Sequence, residues 1–438
     1  MDSAWYVSWN PLKPLAWLSH SHLHILTHLI STAPSAPCIV ETLPGPSNIL
    51  HVAVEDVVSD AASDDDTASF IIATAADKSI NLLSTIHPFD PATLATLICD
   101  SPTLSCAVLR KRYLVTSSMS GQIMLYDLRS GRLLDERRDH QKYVVKVAHS
   151  VDEEGAWIAT AAWDAKVLLY RISKLGSNGV EPLIGNPVAV IELPTNPEAI
   201  LFIQHPELKN PVLLLSRRDS TFIYYYAISD GTVAETSTST DQALTLLGRQ
   251  NLAPHSNAWI AFTPSAFALS PVDSSLLAVA TSAMPHMKLI IVRLLLPPPI
   301  LTTHSTSCDE TSSIPIAVST DITQASQARA ALALSDREAA AILIHVTTLA
   351  PQTPYSTPGL AWRPNGSGLW VNGDDGVMRG IETSTGKIVA SLKDCHEAGT
   401  KIRCLWSGWV QSGRRSEEWV VSGGFDRRLV VWRVRDSS

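Results

Sequence analysis

VVSGGFDRRLVVWRV (420–434) repeats the pattern of IATAAWDAKVLLYRI (158–172) position by position, at an offset of 262 residues. Each stretch holds a run of small residues, an aromatic, an Asp, a two-residue step, three aliphatics, an aromatic and an Arg. Apolar runs of this length on either side of a short break read as two β-strands joined by a tight turn. The Asp falls at the turn, where a carboxylate accepts nearby backbone N–H groups.

Weaker copies surround this pair. IIATAADKSINLL (71–83) carries Asp77, and LVTSSMSGQIMLYDL (114–128) has Ser120 in the Asp position. LLLSRRDSTFIYYYAI (213–228) offers Asp219, and LWVNGDDGVMRGIE (369–382) offers Asp375. SLLAVATSAMPHMKLIIVRLL (275–295) keeps both strands without the Asp, which makes seven units. Turn positions 77, 120 and 164 recur every 43–44 residues, and 375 and 426 are 51 apart. The span between 283 and 375 is long enough to leave an eighth unit open. A short strand and a polar turn precede each unit, as in GLAWRPNGSG (359–368), and a further strand comes before those, as in TGKIVASLKD (385–394).

Four strands in a repeat of about 40–50 residues are the signature of a propeller blade. On these residues the chain resembles the WD-repeat family over 38–434. The resemblance implies an all-β fold, a seven-bladed β-propeller built from one domain. The last blade runs out at VVWRV (430–434), and an unpaired sheet edge invites misassociation. The strand-like segment at 38–43 is therefore expected to close the seventh blade. Residues 1–37 differ from the rest. Leu15, Leu18, Ile25, Leu26 and Leu29 fall at helical spacing, which predicts a short N-terminal helical extension. Residues 296–341 form a long insertion, with helix formers in TQASQARAALALSDREAAA (323–341).

The resemblance also implies a hydrogen-bonded lock at the turn: a His before the inner strand, a Ser or Thr, the Asp and a Trp. The third blade would supply His140, Thr160, Asp164 and Tyr170, and the seventh His396, Ser422, Asp426 and Trp432. Ser, His and Asp also make hydrolytic triads. Recurrence in two blades points to a structural lock instead, so no catalytic residue is assigned and the chain is expected not to be an enzyme. LYDLR (125–129) resembles the adaptor-facing box of substrate receptors for cullin-type ubiquitin ligases, with Tyr126, Asp127 and Arg129 as its members. The expected role is a protein–protein interaction scaffold within a complex. A ligase substrate receptor is the alternative.

Composition narrows the classes further. Net charge of −8 argues against direct nucleic-acid binding, which needs a basic surface. Hydrophobic content of 45% with 17% charged residues describes a chain with a large core. No apolar run reaches the roughly 18–20 residues needed to span a bilayer, so other proteins, and not a membrane, are the expected partners. Six scattered cysteines without a CxxC pair suggest neither zinc nor a disulfide framework. The expected location is the cytoplasm or the nucleus. His20, His24 and His28 lie at i, i+4 and i+8 with His22 nearby, but nothing close completes a metal set, so no metal or other cofactor is expected. Ser63, followed by three Asp residues, is a candidate for an acid-directed kinase.

Overall fold

The computed structural model describes residues 38–45, 47–58, 67–85, 95–173, 175, 181–229, 244–256, 262–298, 320–394, 396–412 and 415–433. Strand β1 (Cys38–Pro44) precedes a first sheet of β2 (Ile49–Val58), β3 (Thr67–Ala75), β4 (Ser79–Ser84) and β5 (Ala95–Ile98). The second sheet is β6 (Thr103–Leu109), β7 (Tyr113–Ser118), β8 (Ile123–Asp127) and β9 (Arg132–Arg137). The third is β10 (Val144–Val151), β11 (Gly155–Ala162), β12 (Lys166–Ser173) and β13 (Ala189–Glu192). The fourth is β14 (Pro197–Ile203), β15 (Val212–Arg217), β16 (Phe222–Ile228) and β17 (Leu244–Asn251). The fifth is β18 (Pro264–Leu269), β19 (Leu276–Thr281), β20 (His286–Arg293) and β21 (Ile342–Pro351), with helix α1 (Thr320–Ala341) leading into its last strand. The sixth is β22 (Leu360–Trp362), β23 (Gly368–Val371), β24 (Met378–Glu382) and β25 (Ile388–Leu392). The seventh joins β26 (Ile402–Ser412), β27 (Arg415–Gly424) and β28 (Arg428–Arg433) to β1 from the start of the chain.

Each sheet is antiparallel, and its first strand packs beside the first strands of the two neighbouring sheets. The cycle runs β2, β6, β10, β14, β18, β22, β26 and back to β2. Seven apolar clusters fill the seven gaps between sheets, the one between seventh and first blades included: Ile49, Val52 and Val54 meet Trp419, Val421 and Val431 there. An open arc of seven sheets would have six such gaps, so the ring is closed. Among the described residues, the span between 283 and 375 holds the end of blade five, α1 and the start of blade six, and no further sheet.

Covering both faces of every sheet explains the small-residue runs. All eight residues of β11 are buried, which removes the alternation a half-exposed strand would show. Strand β1 pairs antiparallel with β28, from Cys38 opposite Arg433 to Pro44 opposite Arg428. That pairing occupies an edge the last blade would otherwise leave bare.

One expectation needs correction. The helical element is not an N-terminal extension: among the described residues the helix is α1, inside the fifth blade. It packs on β17 and β21, where Glu338 accepts the Asn251 N–H at 2.7 Å and Ser335 donates to the Pro254 carbonyl. Helix formers with such anchors hold a helix there. Residues 1–37, the histidines at 20–28 and Ser63 lie outside the described residues. Asp219 keeps the turn position but departs from the other turn residues in its backbone. In blades one, three and seven the residue after the Asp takes positive φ, at Lys78 (74°), Ala165 (63°) and Arg427 (61°), whereas in blade four Asp219 itself does (58°). A short side chain that tolerates the left-handed region lets Asp fill that position.

Candidate functional site

The turns between second and third strands, together with the loops entering the inner strands, define one face of the ring, here the upper face. A repeated tie fixes them to each other. The backbone N–H of Ala76, Met119, Trp163, Arg218, Ser282 and Phe425 bonds to the carbonyl of Asn48, Pro102, Tyr143, Asn196, Thr263 and Lys401 in turn. Each pair belongs to one blade, so the turn residue stands directly over the start of its own inner strand.

Blades three and seven add the full lock. The His396 ring meets the Asp426 carboxylate through Nδ1 at 3.0 Å and the Ser422 hydroxyl through Nε2 at 2.9 Å. Trp432 Nε1–H donates to Ser422 Oγ at 3.5 Å. The Asp426 carboxylate also accepts the N–H groups of Glu397 (3.0 Å) and Arg428 (3.2 Å). Burial would raise that carboxyl, but the His396 ring and these N–H groups together hold it below the usual range. In blade three, His140 joins Asp164 at 3.0 Å and Thr160 at 2.8 Å, and Asp164 accepts the N–H groups of Gln141 and Lys166. Burial lowers the His140 pKa against the pull of Asp164. Tyr170 donates to Asp139 at 3.1 Å, a carboxylate gripped by Arg137. The fourth member here reaches beyond the set.

Ser422 and Thr160 have no solvent-exposed surface, and His140 and His396 are buried beside them. Elsewhere the turn side chains bond within their own blade: Asp77 to Ser79, Ser120 to Ser118 and Gln122, and Asp375 to Arg379.

The ligase-like box is placed as follows. Tyr126 is buried, its hydroxyl beside Cys99 and Met124 sulfurs. Asp127 accepts from Arg112 at 3.1 Å and from the Arg129 N–H at 3.1 Å, while Arg129 itself is exposed. The first two side chains are thus committed to the blade.

A second constellation lies at the channel. Six of the seven inner strands bulge at their start, between 49 and 51, 103 and 105, 144 and 146, 197 and 199, 264 and 266, and 402 and 404. A bulge re-aims the extra side chain, and the shared height makes a ring of such positions: Leu50, Leu104, Val145, Glu198, Ser265 and Arg403. Just below them stand His51 and Lys146. His51, Lys146, Glu198 and Arg403 keep partial solvent contact although protein surrounds them, as expected of a narrow central channel. Burial, then Lys146 and Arg403, push the His51 pKa down to about 3, so its ring is neutral. Burial and Arg403 lower the Lys146 pKa, and burial lowers that of Arg403. Glu198 accepts from Arg218 at 2.7 Å, yet burial outweighs that cation and raises its carboxyl. Deeper, burial and then Asp56 raise Glu55 to about 7.

No motif announced this channel set. Its signal was a single charged residue near the start of an apolar inner strand in three blades, as in VVKVAH (144–149), PEAILF (197–202) and IRCLW (402–406). Exposed aromatics crown it. Tyr143 and Trp163 pack at 5.5 Å between ring centres, each a little over 40% exposed, and Phe425 is exposed to the same degree. Among the described residues no group of three His, Cys, Asp or Glu side chains is placed to hold a metal ion. No helix there is long and apolar enough to cross a membrane.

A search of curated proteins finds no match. Residues 102–433 match the model of a family described as UCP007778, beta-propeller domain. That stretch covers blades two to seven as the structure draws them, and the chain belongs to the UCP007778 beta-propeller domain family.

Proposed function

We propose that this propeller is of the WD-repeat type and works as a non-catalytic platform for protein–protein interaction, as a subunit of a larger assembly. The WD-repeat reading is supported by the His–Ser–Asp–Trp set of blade seven and its His–Thr–Asp counterpart in blade three. The observation that carries the platform reading is the upper mouth. There a closed ring presents exposed Tyr143, Trp163 and Phe425 around a channel lined by charged groups. Aromatic residues on a rigid surface are the groups that anchor protein interfaces. The non-catalytic reading is supported by the sealed position of Ser422, whose hydroxyl is already engaged by His396 and Trp432. A reducing compartment, cytoplasm or nucleus, suits Cys99, Cys106 and Cys404, all buried as free thiols.

Native affinity purification with mass spectrometry tests the reading on wild type, Arg129→Ala and the Trp163→Ala/Phe425→Ala pair. A stoichiometric partner set retained by wild type and by Arg129→Ala, and thinned by the aromatic pair, is the expected result. A cullin adaptor lost with Arg129→Ala would make the chain a ligase receptor instead. Recovery of the chain alone from every sample would refute the platform, and turnover abolished by Ser422→Ala in a folded protein would refute the non-catalytic part.

A further inference from the structure

Blades three and seven share more than their locks. Blade three carries Lys146 at the start of its inner strand with Tyr143 and Trp163 above it, and blade seven carries Arg403 with Phe425 above it. In a ring of seven these two blades are as far apart as the ring permits, so the cations face each other across the channel. Arg403 is the bulged residue of its strand, and Lys146 follows the bulged Val145, one step below that height. The charge of Arg403 acts on Lys146, and His51 of the first blade senses both.

Neither cation has an ion pair or a side-chain hydrogen bond among the described residues. The nearest carboxylate to influence Lys146 is Glu198, which already accepts from Arg218. His51 is neutral and neutralises nothing. Like charges enclosed by protein without a counter-charge are unfavourable. An incoming anion would relieve that repulsion while gaining charge-assisted hydrogen bonds, of which an Arg fork can make two. On a chain whose net charge is −8, a cationic mouth at the channel also runs against the overall sign.

We propose that the upper channel mouth receives one anionic side chain of a partner peptide between Lys146 and Arg403, with the flanking peptide residues lying on Tyr143, Trp163 and Phe425. The proposal rests on the platform reading above and names the chemistry of its partner. The anion is a carboxylate or a phosphorylated hydroxyl, which share the acceptor oxygens that this pair demands.

Surface-bound libraries of twelve-residue peptides test it, randomised except for a central Glu, Gln or phosphoserine. The full chain is applied as wild type, Lys146→Met, Arg403→Met and Lys142→Met. Lys142 is an exposed loop residue, so its variant removes the same charge while leaving the pair of Lys146 and Arg403 intact. Wild type and Lys142→Met are expected to favour the Glu-centred over the Gln-centred library about tenfold, more weakly as salt is raised. Both channel variants should lose that preference while melting no lower than wild type, since each removes a repelling charge. Stronger retention by phosphoserine than by Glu would identify the phosphorylated source, and equal retention the carboxylate. Equal retention of Glu and Gln libraries by wild type overturns the proposal and leaves the platform standing. A preference that survives in both channel variants, or falls equally in Lys142→Met, overturns it as diffuse surface charge. Retention of no library overturns the proposal together with peptide binding by the platform. If a methionine variant fails to fold, Lys146→Arg and Arg403→Lys must keep the Glu preference; its loss in both folded variants also overturns the proposal.

Discussion

Replacing Asp426 by Ala should cost far more than the same change at Asp77, although both residues end a second strand at the same kind of turn. The Asp426 side chain is fully buried. It accepts from the His396 ring and from two backbone N–H groups. Asp77 accepts only from Ser79, through N–H at 3.2 Å and the hydroxyl at 2.7 Å. A hydrogen bond to a charged group contributes about 1.5–3 kcal/mol, and a buried donor left without its acceptor costs about 1–3 kcal/mol. Removing Asp426 orphans the buried His396 Nδ1–H and frees the Glu397 N–H beside it. The contributions are not additive, and loss of one partner from a buried pair costs roughly 3–5 kcal/mol. Asp77→Ala frees groups of its own turn and should cost about 1 kcal/mol. At about 2 cal/mol/K per residue, 1 kcal/mol moves the melting point of a chain this long by roughly 1 °C. Asp426→Ala should therefore melt about 3–5 °C lower. Amide exchange should accelerate selectively in peptides covering 396–428, because stability is lost where the lock was. Equal melting shifts for Asp426→Ala and Asp77→Ala, with no local change in exchange, would refute the lock.

Three further outcomes follow from other parts of the ring. Arg363 and Glu418 form a buried two-point ion pair between blades six and seven, at 2.8 and 2.6 Å. Arg363→Met should destabilise by about 3–5 kcal/mol, and adding Glu418→Leu should restore most of it, because the lone buried carboxylate is the larger cost; denaturant titration of single and double variants reads this. His51 has a folded pKa near 3, below its unfolded value. The unfolded chain thus binds a proton that the fold refuses, and stability falls as pH drops from roughly 6.5 towards 3, by at most about 1.4 kcal/mol per unit. Glu55, raised to about 7, works in the opposite sense, so melting curves should compare wild type with His51→Gln. The variant should show the shallower loss between pH 7 and 5, and identical slopes would count against the channel placement. Glu338→Ala should release α1 from the Asn251 N–H and speed exchange across 320–341 without moving the blade amides, as mass-spectrometric exchange can check.

The lock was legible because its chemistry is local and written twice: Ser or Thr, Asp and an aromatic recur at fixed offsets, with a His ahead of each set. The channel set was not, because Lys146 and Arg403 lie far apart in sequence and meet only when seven strands close a ring. Blade four shows why spacing alone misleads, since SRRDS (216–220) does not reveal whether Asp219 or the residue after it enters the left-handed region. One relation between blades was written in the sequence all along. The turns of blades two and six place glycine after Ser120 and Asp375, at φ of 85° and 78°. A Cβ at Gly121 would collide with the carbonyl of His140, and one at Gly376 with that of Glu397, the neighbour of His396. Each locked blade is thus preceded by a glycine turn, and the loop carrying the lock histidine rests against it. Positive φ favours glycine at both positions, but Lys78, Ala165 and Arg427 tolerate the same region. The demand for glycine at 121 and 376 therefore comes from the neighbouring blade. The His loop needs the space, which makes the lock a property of two adjacent blades and not of one.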